Sequence, residues 1–186
     1  MTGDQSAALE YLAHAERTSG TLEGGSKVAT VAILGAGTMG AGIAIACLEA
    51  ELSVTLIDVD AASLARGAAR VRSTLEAAVS KKRATVAQCE ARLAQLTCAG
   101  SLDAASGADL IIEAVFENLE LKRQVFGQLD AIARRDAILA TNTSYLDVDR
   151  IAAATGRPES VLGLHFFAPA NIMQLLEVVR GSKSTR

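Results

Sequence analysis

Three clusters in this sequence have residue types and spacing suited to chemistry. The first is His165 in Gly163-Leu164-His165-Phe166-Phe167, with Glu177 on the next apolar run. A histidine at the end of a strand, with a carboxylate on a strand returning beside it, makes a general base. The carboxylate fixes the tautomer, and the second ring nitrogen is left to take a proton. The same pattern also fits a core histidine satisfied by a backbone carbonyl, and the residues alone leave both readings open. The second cluster is Gly35-Ala36-Gly37-Thr38-Met39-Gly40, followed by Asp58. This is the G-x-G-x-x-G spacing. Gly35 allows a tight turn, Gly37 lets a pyrophosphate approach the backbone, and Gly40 lets a helix pack closely on a strand. The third is Thr141-Asn142-Thr143-Ser144, four hydrogen-bonding side chains after an apolar run.

These residues need elements to hold them. Val28 to Leu34 is a short, β-branched apolar run that reads as a buried strand. An alanine-rich helix follows Gly40 to about Ala50, and Ser53 to Ile57 forms a second strand ending on Asp58. The helix N-terminus would hold phosphate charge, and a carboxylate at Asp58 would accept hydrogen bonds from ribose hydroxyls. That carboxylate repels a 2′-phosphate, and Val59 and Asp60 supply no cation beside it, so NAD is favoured over NADP. Glu51 stands where glycine would normally end the preceding helix, which predicts an unfavourable backbone conformation there or a different ending.

Beyond Asp58, helices are expected over 61–80 and from Ala84 to about Leu96, carrying Arg66, Arg70 and Arg72 on exposed positions. A single crossover does not need two helices, so this pair reads as an insertion. Strands are expected at 97–99, 109–115, 137–140, 161–167 and 174–179, with helices over 118–135 and 147–154. Alternating β and α elements imply an α/β fold, a Rossmann-type doubly wound and mainly parallel sheet, with the helical pair inserted after the second strand. The last two strands are too close for a crossover and should be antiparallel. In such a sheet ligands bind beyond the carboxyl ends of the strands, where Glu113 to Asn118, Thr141 to Ser144 and His165 to Ala168 fall.

The chain has 186 residues, half of them apolar, with no tryptophan and a net charge of −3. That length supports one sizeable core, and the charge makes no case for nucleic acid. Cys47, Cys89 and Cys98 are scattered in apolar settings and read as reduced, buried thiols in a cytoplasmic protein rather than a disulfide set or metal site. No signal peptide or membrane span is evident. Residues 1–26 differ from the rest: 7–17 reads as a helix and 19–26 as a Gly/Ser/Thr linker, leaving 27–186 as the folded domain. His14, among alanines, reads as a solvated or packed side chain.

The stretches GAGTMGAGIA, IIEAVFENLELK, TNTSYL and GLHFFAPANIMQLLEVV, in this order, resemble the NAD-binding domain of the L-3-hydroxyacyl-CoA dehydrogenases of fatty-acid β-oxidation. The PANIMQLLEVVRG stretch, the N-terminal helix and the linker are most similar to the multifunctional hydratase–dehydrogenases. The resemblance implies that His165 is the catalytic base and Glu177 its orienting partner. It implies that Gly35, Ala36, Gly37, Thr38, Met39, Gly40 and Asp58 hold the adenosine half of NAD. Val115, Phe116, Glu117 and Lys122 would then lie along the cofactor, and Ser144 near both nicotinamide and substrate hydroxyl. Thr74 and Lys81, on the helical pair, stand at positions that would touch the coenzyme A of an acyl-CoA substrate. Lys81 also fits a solvated helix-end charge. Ala168 stands where the family usually has asparagine, and Thr141 and Tyr145 replace smaller serines. An all-helical second domain, which also makes the dimer contact, is expected to follow, so the chain is expected to be a fragment. A different NAD-linked hydroxyacid dehydrogenase and a non-catalytic NAD-binding module are the alternatives.

Overall fold

The computed structural model describes residues 27–185, together with Ala7, Glu10, Tyr11, Ala13 and His14, which are helical. The rest of the expected 7–17 helix and the whole 19–26 linker lie outside the described residues. Seven strands form one sheet: β1 (Thr30–Leu34), β2 (Ser53–Ile57), β3 (Leu96–Ala99), β4 (Leu110–Glu113), β5 (Ile138–Thr141), β6 (Val161–Phe166) and β7 (Leu176–Arg180). Their order is β3-β2-β1-β4-β5-β6-β7, parallel except for the antiparallel β6–β7 pair. The helices are α1 (Thr38–Glu49), α2 (Ala61–Ser80), α3 (Val86–Ala94), α4 (Leu119–Ile132) and α5 (Val148–Ala152). The sheet is the doubly wound one expected. The chain leaves β1 first towards β2 and later returns to β4 on its other side, which opens a crevice between the carboxyl ends of β1 and β4.

Alternation along β1 divides the core. Val31 and Ile33 join Ile43, Leu48, Val71 and Leu75 on the face covered by α1 and α2. Ala32 and Leu34 join Phe126, Leu129, Leu139 and Ile151 under α4 and α5. Successive strand side chains point to opposite faces, so a five-residue strand serves both layers. Its N-terminal end is tied to β4 by Asp109, whose Oδ2 accepts from the amides of Ala29 and Thr30 and from the Thr30 hydroxyl at 2.8–2.9 Å.

Element ends follow local chemistry. Glu51 does adopt the left-handed conformation, φ 62°. The Leu52 amide then bonds back to the Cys47 carbonyl at 3.0 Å, closing α1 as a glycine would. Lys82, φ 56°, ends α2 in the same way, a turn that the sequence did not announce. The next helix starts at Val86 rather than Ala84 because Thr85 and Gln88 exchange hydrogen bonds in a capping box. Cys47 and Cys89 are buried, but Cys98 is exposed, because it lies on edge strand β3. Burial pushes the Cys47 thiol up to about 11. Arg66, Arg70 and Arg72 are exposed as expected.

Candidate active site

The Gly35–Gly40 turn sits at the crevice, held from beneath. The Gly35 amide donates to the Ile57 carbonyl at 2.8 Å, and the Ala36 amide to Asp58 Oδ2 at 2.9 Å. Gly35 has φ +96°, and a Cβ there would lie 2.6 Å from the Ala114 carbonyl oxygen. At Gly40 a Cβ would stand 1.8 Å from the Gly35 oxygen. Gly37 is different: a Cβ there would meet nothing within 4 Å. Protein packing therefore does not demand this glycine, and the space over it is open for a ligand. Gly37 is also the N-cap of α1, with no side-chain cap and no acidic residue in the first turn. The positive end of the helix is left to an anion from outside.

Beside this turn lies a cleft of about 640 Å³, lined by Gly37, Thr38 and Met39, by Asp58, and by an apolar wall including Val115 and Phe116. Asp58 accepts from Ala36 and, through Oδ1, from the Asp60 amide at 3.0 Å. A carboxylate has about four acceptor positions, so ribose hydroxyls can still be served. Arg66, placed on an exposed helix position by the sequence, comes close to Asp60 in the structure. Its guanidinium donates to the Ser63 hydroxyl at 2.8 Å and lies 3.8 Å from Asp60. An open turn, an uncapped helix and an anchored carboxylate together fit a dinucleotide such as NAD.

The second part of the site lies at the other edge. His165 and Glu177 are register partners across β6 and β7, and Nδ1 of the histidine is 2.8 Å from Oε2 of the glutamate. The Phe167 ring packs at 4.5 Å from the imidazole. Glu177 therefore holds one ring nitrogen, and Nε2 is left for a proton.

Between the two parts runs a polar network. Lys122, on α4, places Nζ 2.6 Å from Glu113 Oε1 and 3.2 Å from Glu117 Oε2. Glu117 Oε1 accepts from the Thr143 hydroxyl and, at 2.9 Å, from the Ser144 amide. Burial pushes the Glu117 carboxyl up, but the Thr143 hydroxyl, the Ser144 amide and Lys122 outweigh it and leave it below the usual range. Asn142 Oδ1 accepts from the Phe166 amide at 2.9 Å, so the Ser144 turn is pinned to the strand that carries His165.

The sequence-predicted residues thus fall into separate places. Gly35, Gly37, Thr38, Met39, Asp58, Val115 and Phe116 line the cleft, whereas Ala36 and Gly40 are buried beneath the turn. Ser144 is exposed on its turn, and Glu117 is half-buried below it. Lys122 is enclosed, its ammonium engaged by two carboxylates. Thr74 is half-buried on α2, and Lys81 is exposed at its C-terminal cap. Thr141 keeps a hydroxyl where a serine was expected, and it donates to Glu113 Oε2 at 2.7 Å. Sequence reasoning placed Glu113 and Asn142 in the clusters at the strand ends without giving either a role, and it missed Gly67. A Cβ at Gly67 would come within 2.5 Å of the Ala36 oxygen, so this glycine lets α2 pack on the turn. A lone glycine inside a long helix is the signal that could have revealed it. Among the described residues no cluster of His, Cys, Asp or Glu could hold a metal, and no helix is long and apolar enough to cross a membrane.

Comparison with known proteins agrees with this fold. The chain is 41% identical over 191 residues to the peroxisomal bifunctional enzyme of Homo sapiens, covering 97% of this chain and 26% of that protein. It is 42% identical over 154 residues to 3-hydroxyadipyl-CoA dehydrogenase of Escherichia coli K12, covering 83% of this chain and 32% of the relative. The structure of 3-hydroxybutyryl-CoA dehydrogenase from E. coli K12 superposes with a TM-score of 0.84 at 40% identity, over 86% of this chain and 34% of that one. The chain thus spans about a quarter to a third of the length of these relatives. The family model for the NAD-binding domain of 3-hydroxyacyl-CoA dehydrogenase matches residues 30–186, and the chain belongs to that family.

Proposed function

We propose that this domain binds NAD and supplies the base for oxidation of an L-3-hydroxyacyl-CoA to the 3-ketoacyl-CoA. The observation that carries the reading is the His165–Glu177 contact, at the carboxyl end of a strand in a sheet whose cleft fits a dinucleotide. Bound NAD would supply the acceptor for the hydride that leaves C3 of the substrate. His165 Nε2 accepts the proton of the C3 hydroxyl, and Glu177 stabilises the imidazolium that results. Ser144 is assigned to the substrate hydroxyl beside the nicotinamide, supported by its exposure on a turn pinned to the His165 strand. Ala168 has no side-chain donor or acceptor to offer either group. Thr74 and Lys81 are assigned to coenzyme A; Lys81 is free at the surface for a phosphate.

Residues 27–186 are assigned as the catalytic half of the site. The facing wall is assigned to a second helical domain or a dimer partner. Val179, 43% exposed and on the same face of β7 as Glu177, belongs to the surface it would cover. A cytoplasmic setting rests on the free thiols alone. Several relatives are named peroxisomal, and cell fractionation decides between the compartments. The test of the activity is NADH-dependent reduction of acetoacetyl-CoA by the full-length protein. No reduction above background, in protein that binds NADH, would overturn the assignment.

A further inference from the structure

We infer that Asn142 is a positioning residue, whose side chain forms a last rung between β5 and β6 and sets the separation of Ser144 from His165. The backbone ladder between these parallel strands stops early. Its register partners run from Leu139 with Val161 to Thr141 with Gly163. Beyond Gly163, β6 is paired with β7, as far as Phe166 with Leu176. Strands β5 and β6 thus part just before the residues that the proposed reaction uses, Ser144 after one and His165 on the other.

Asn142 spans the gap. Its backbone amide donates to the Glu113 carbonyl at 2.8 Å, one residue beyond the last register pair of β4 and β5. Its side chain serves the opposite neighbour, where Oδ1 accepts from the Phe166 amide at 2.9 Å. One residue is therefore tied to both flanking strands, by backbone on one side and by side chain on the other. Ser144 lies two residues after Asn142, and His165 is the residue before Phe166. Glu117 anchors the Ser144 turn to the segment after β4, through the Thr143 hydroxyl and the Ser144 amide, and Asn142 anchors it to β6. Fold stability does not demand this side chain. Asn142 and Phe166 are half-buried near the carboxyl end of the sheet, where water can serve a backbone amide. A water there would satisfy the Phe166 amide without fixing β6 to the Ser144 turn. What the asparagine adds is a fixed distance, and a displacement of about 1 Å at a reacting group costs about 10²-fold in rate.

This inference rests on the assignment of His165 and Ser144 to the substrate hydroxyl, and the test separates the two. In the cofactor-free full-length protein, Asn142→Ala should exchange its Phe166 amide hydrogen about tenfold faster than the parent, while the amides of β1 and β4 keep their rates. Mass spectrometry with fragmentation resolves that single amide. In acetoacetyl-CoA reduction kcat should fall about tenfold or more, with KM for NADH changed by no more than about twofold. Asn142→Asp keeps an acceptor at the same reach, so it should recover most of the protection and most of the lost kcat. His165→Gln, assayed in parallel, tests the base by itself, and parental turnover there refutes the reading of the site. Parental turnover in Asn142→Ala beside an impaired His165→Gln overturns the rung alone. An Asn142→Ala protein that does not fold, or melts far below the parent, would show the side chain to be structural and overturn the inference. So would an Asn142→Asp variant as slow as Asn142→Ala with its Phe166 amide protected, because the loss would then not follow the hydrogen bond.

Discussion

Nδ1 of His165 lies 2.8 Å from Oε2 of Glu177, and the two residues face one another directly across the antiparallel β6–β7 pair. The carboxylate is thus held by backbone register and not by a flexible loop. His165→Gln in the full-length protein should leave NADH binding intact and lower turnover by about 10²-fold or more. Glu177→Gln should also lose activity, because the imidazolium then has no negative partner. Stopped-flow reduction of acetoacetyl-CoA with fluorescence titration of NADH measures both; parental turnover in His165→Gln removes the base.

Three glycines close to one turn should behave differently. Gly37→Ala meets no protein atom, so the domain should keep or slightly gain stability, by up to about 1 kcal/mol, while NADH affinity collapses. Gly40→Ala and Gly67→Ala place a Cβ 1.8 Å and 2.5 Å from a backbone oxygen and should destabilise the fold itself. Thermal melts and NADH titration of the three variants separate the two kinds of effect.

Asp58 should set both affinity and cofactor choice. Asp58→Ala is expected to weaken NADH by about 1.5–3 kcal/mol, the range for a hydrogen bond to a charged group. The parent should prefer NADH to NADPH, since Asp58 and Asp60 both present negative charge and Arg66 is held by Asp60 and Ser63. Equal affinity for the two cofactors, read by fluorescence, would sink this role for Asp58.

Asp109 should mark the acid limit of the fold. Hydrogen bonds from the Ala29 and Thr30 amides, then from the Thr30 hydroxyl, with Arg134 nearby, hold its carboxyl down at about 2. A folded value below the ordinary 3.8 means that its stabilisation is present above 3.8 and is lost as pH falls towards about 2. Asp109→Asn should lower the melting temperature at pH 7 and flatten its dependence on pH in that acid window.

A polypeptide limited to these 186 residues should bind NADH yet turn over slowly. The cofactor-facing turn, the base and its carboxylate are all in one sheet, but the surface beside Glu177 is open. Positioning and water exclusion are together worth about 7–11 kcal/mol in organised sites, and losing a third of this costs about two orders of magnitude in rate. The exposed apolar residues on and before β7 should also drive self-association, seen by sedimentation, and Val178→Lys should reduce it. Turnover typical of a whole dehydrogenase would overturn this expectation.

Local chemistry determined much of this protein from the chain alone. The apolar run into Gly35–Gly40, the acid ending β2 and the spacing of later strands specified a doubly wound sheet, because strand and helix periods and glycine conformations are properties of a few neighbouring residues. Even the left-handed Glu51 was legible, from a missing glycine. The antiparallel return of β7 followed from a connection too short for a crossover. Tertiary structure decided what depends on register between distant strands. Only pairing places Glu113 between Leu34 and Thr141, and only packing shows that Lys122 serves two carboxylates and that Gly67 touches Ala36. Cys98 came to the surface because β3 took the edge, and Arg66 came to Asp60 because α2 turned it there. A sequence shows which side chains exist and how neighbours repeat; which oxygen meets which ammonium is settled only when the strands are laid side by side.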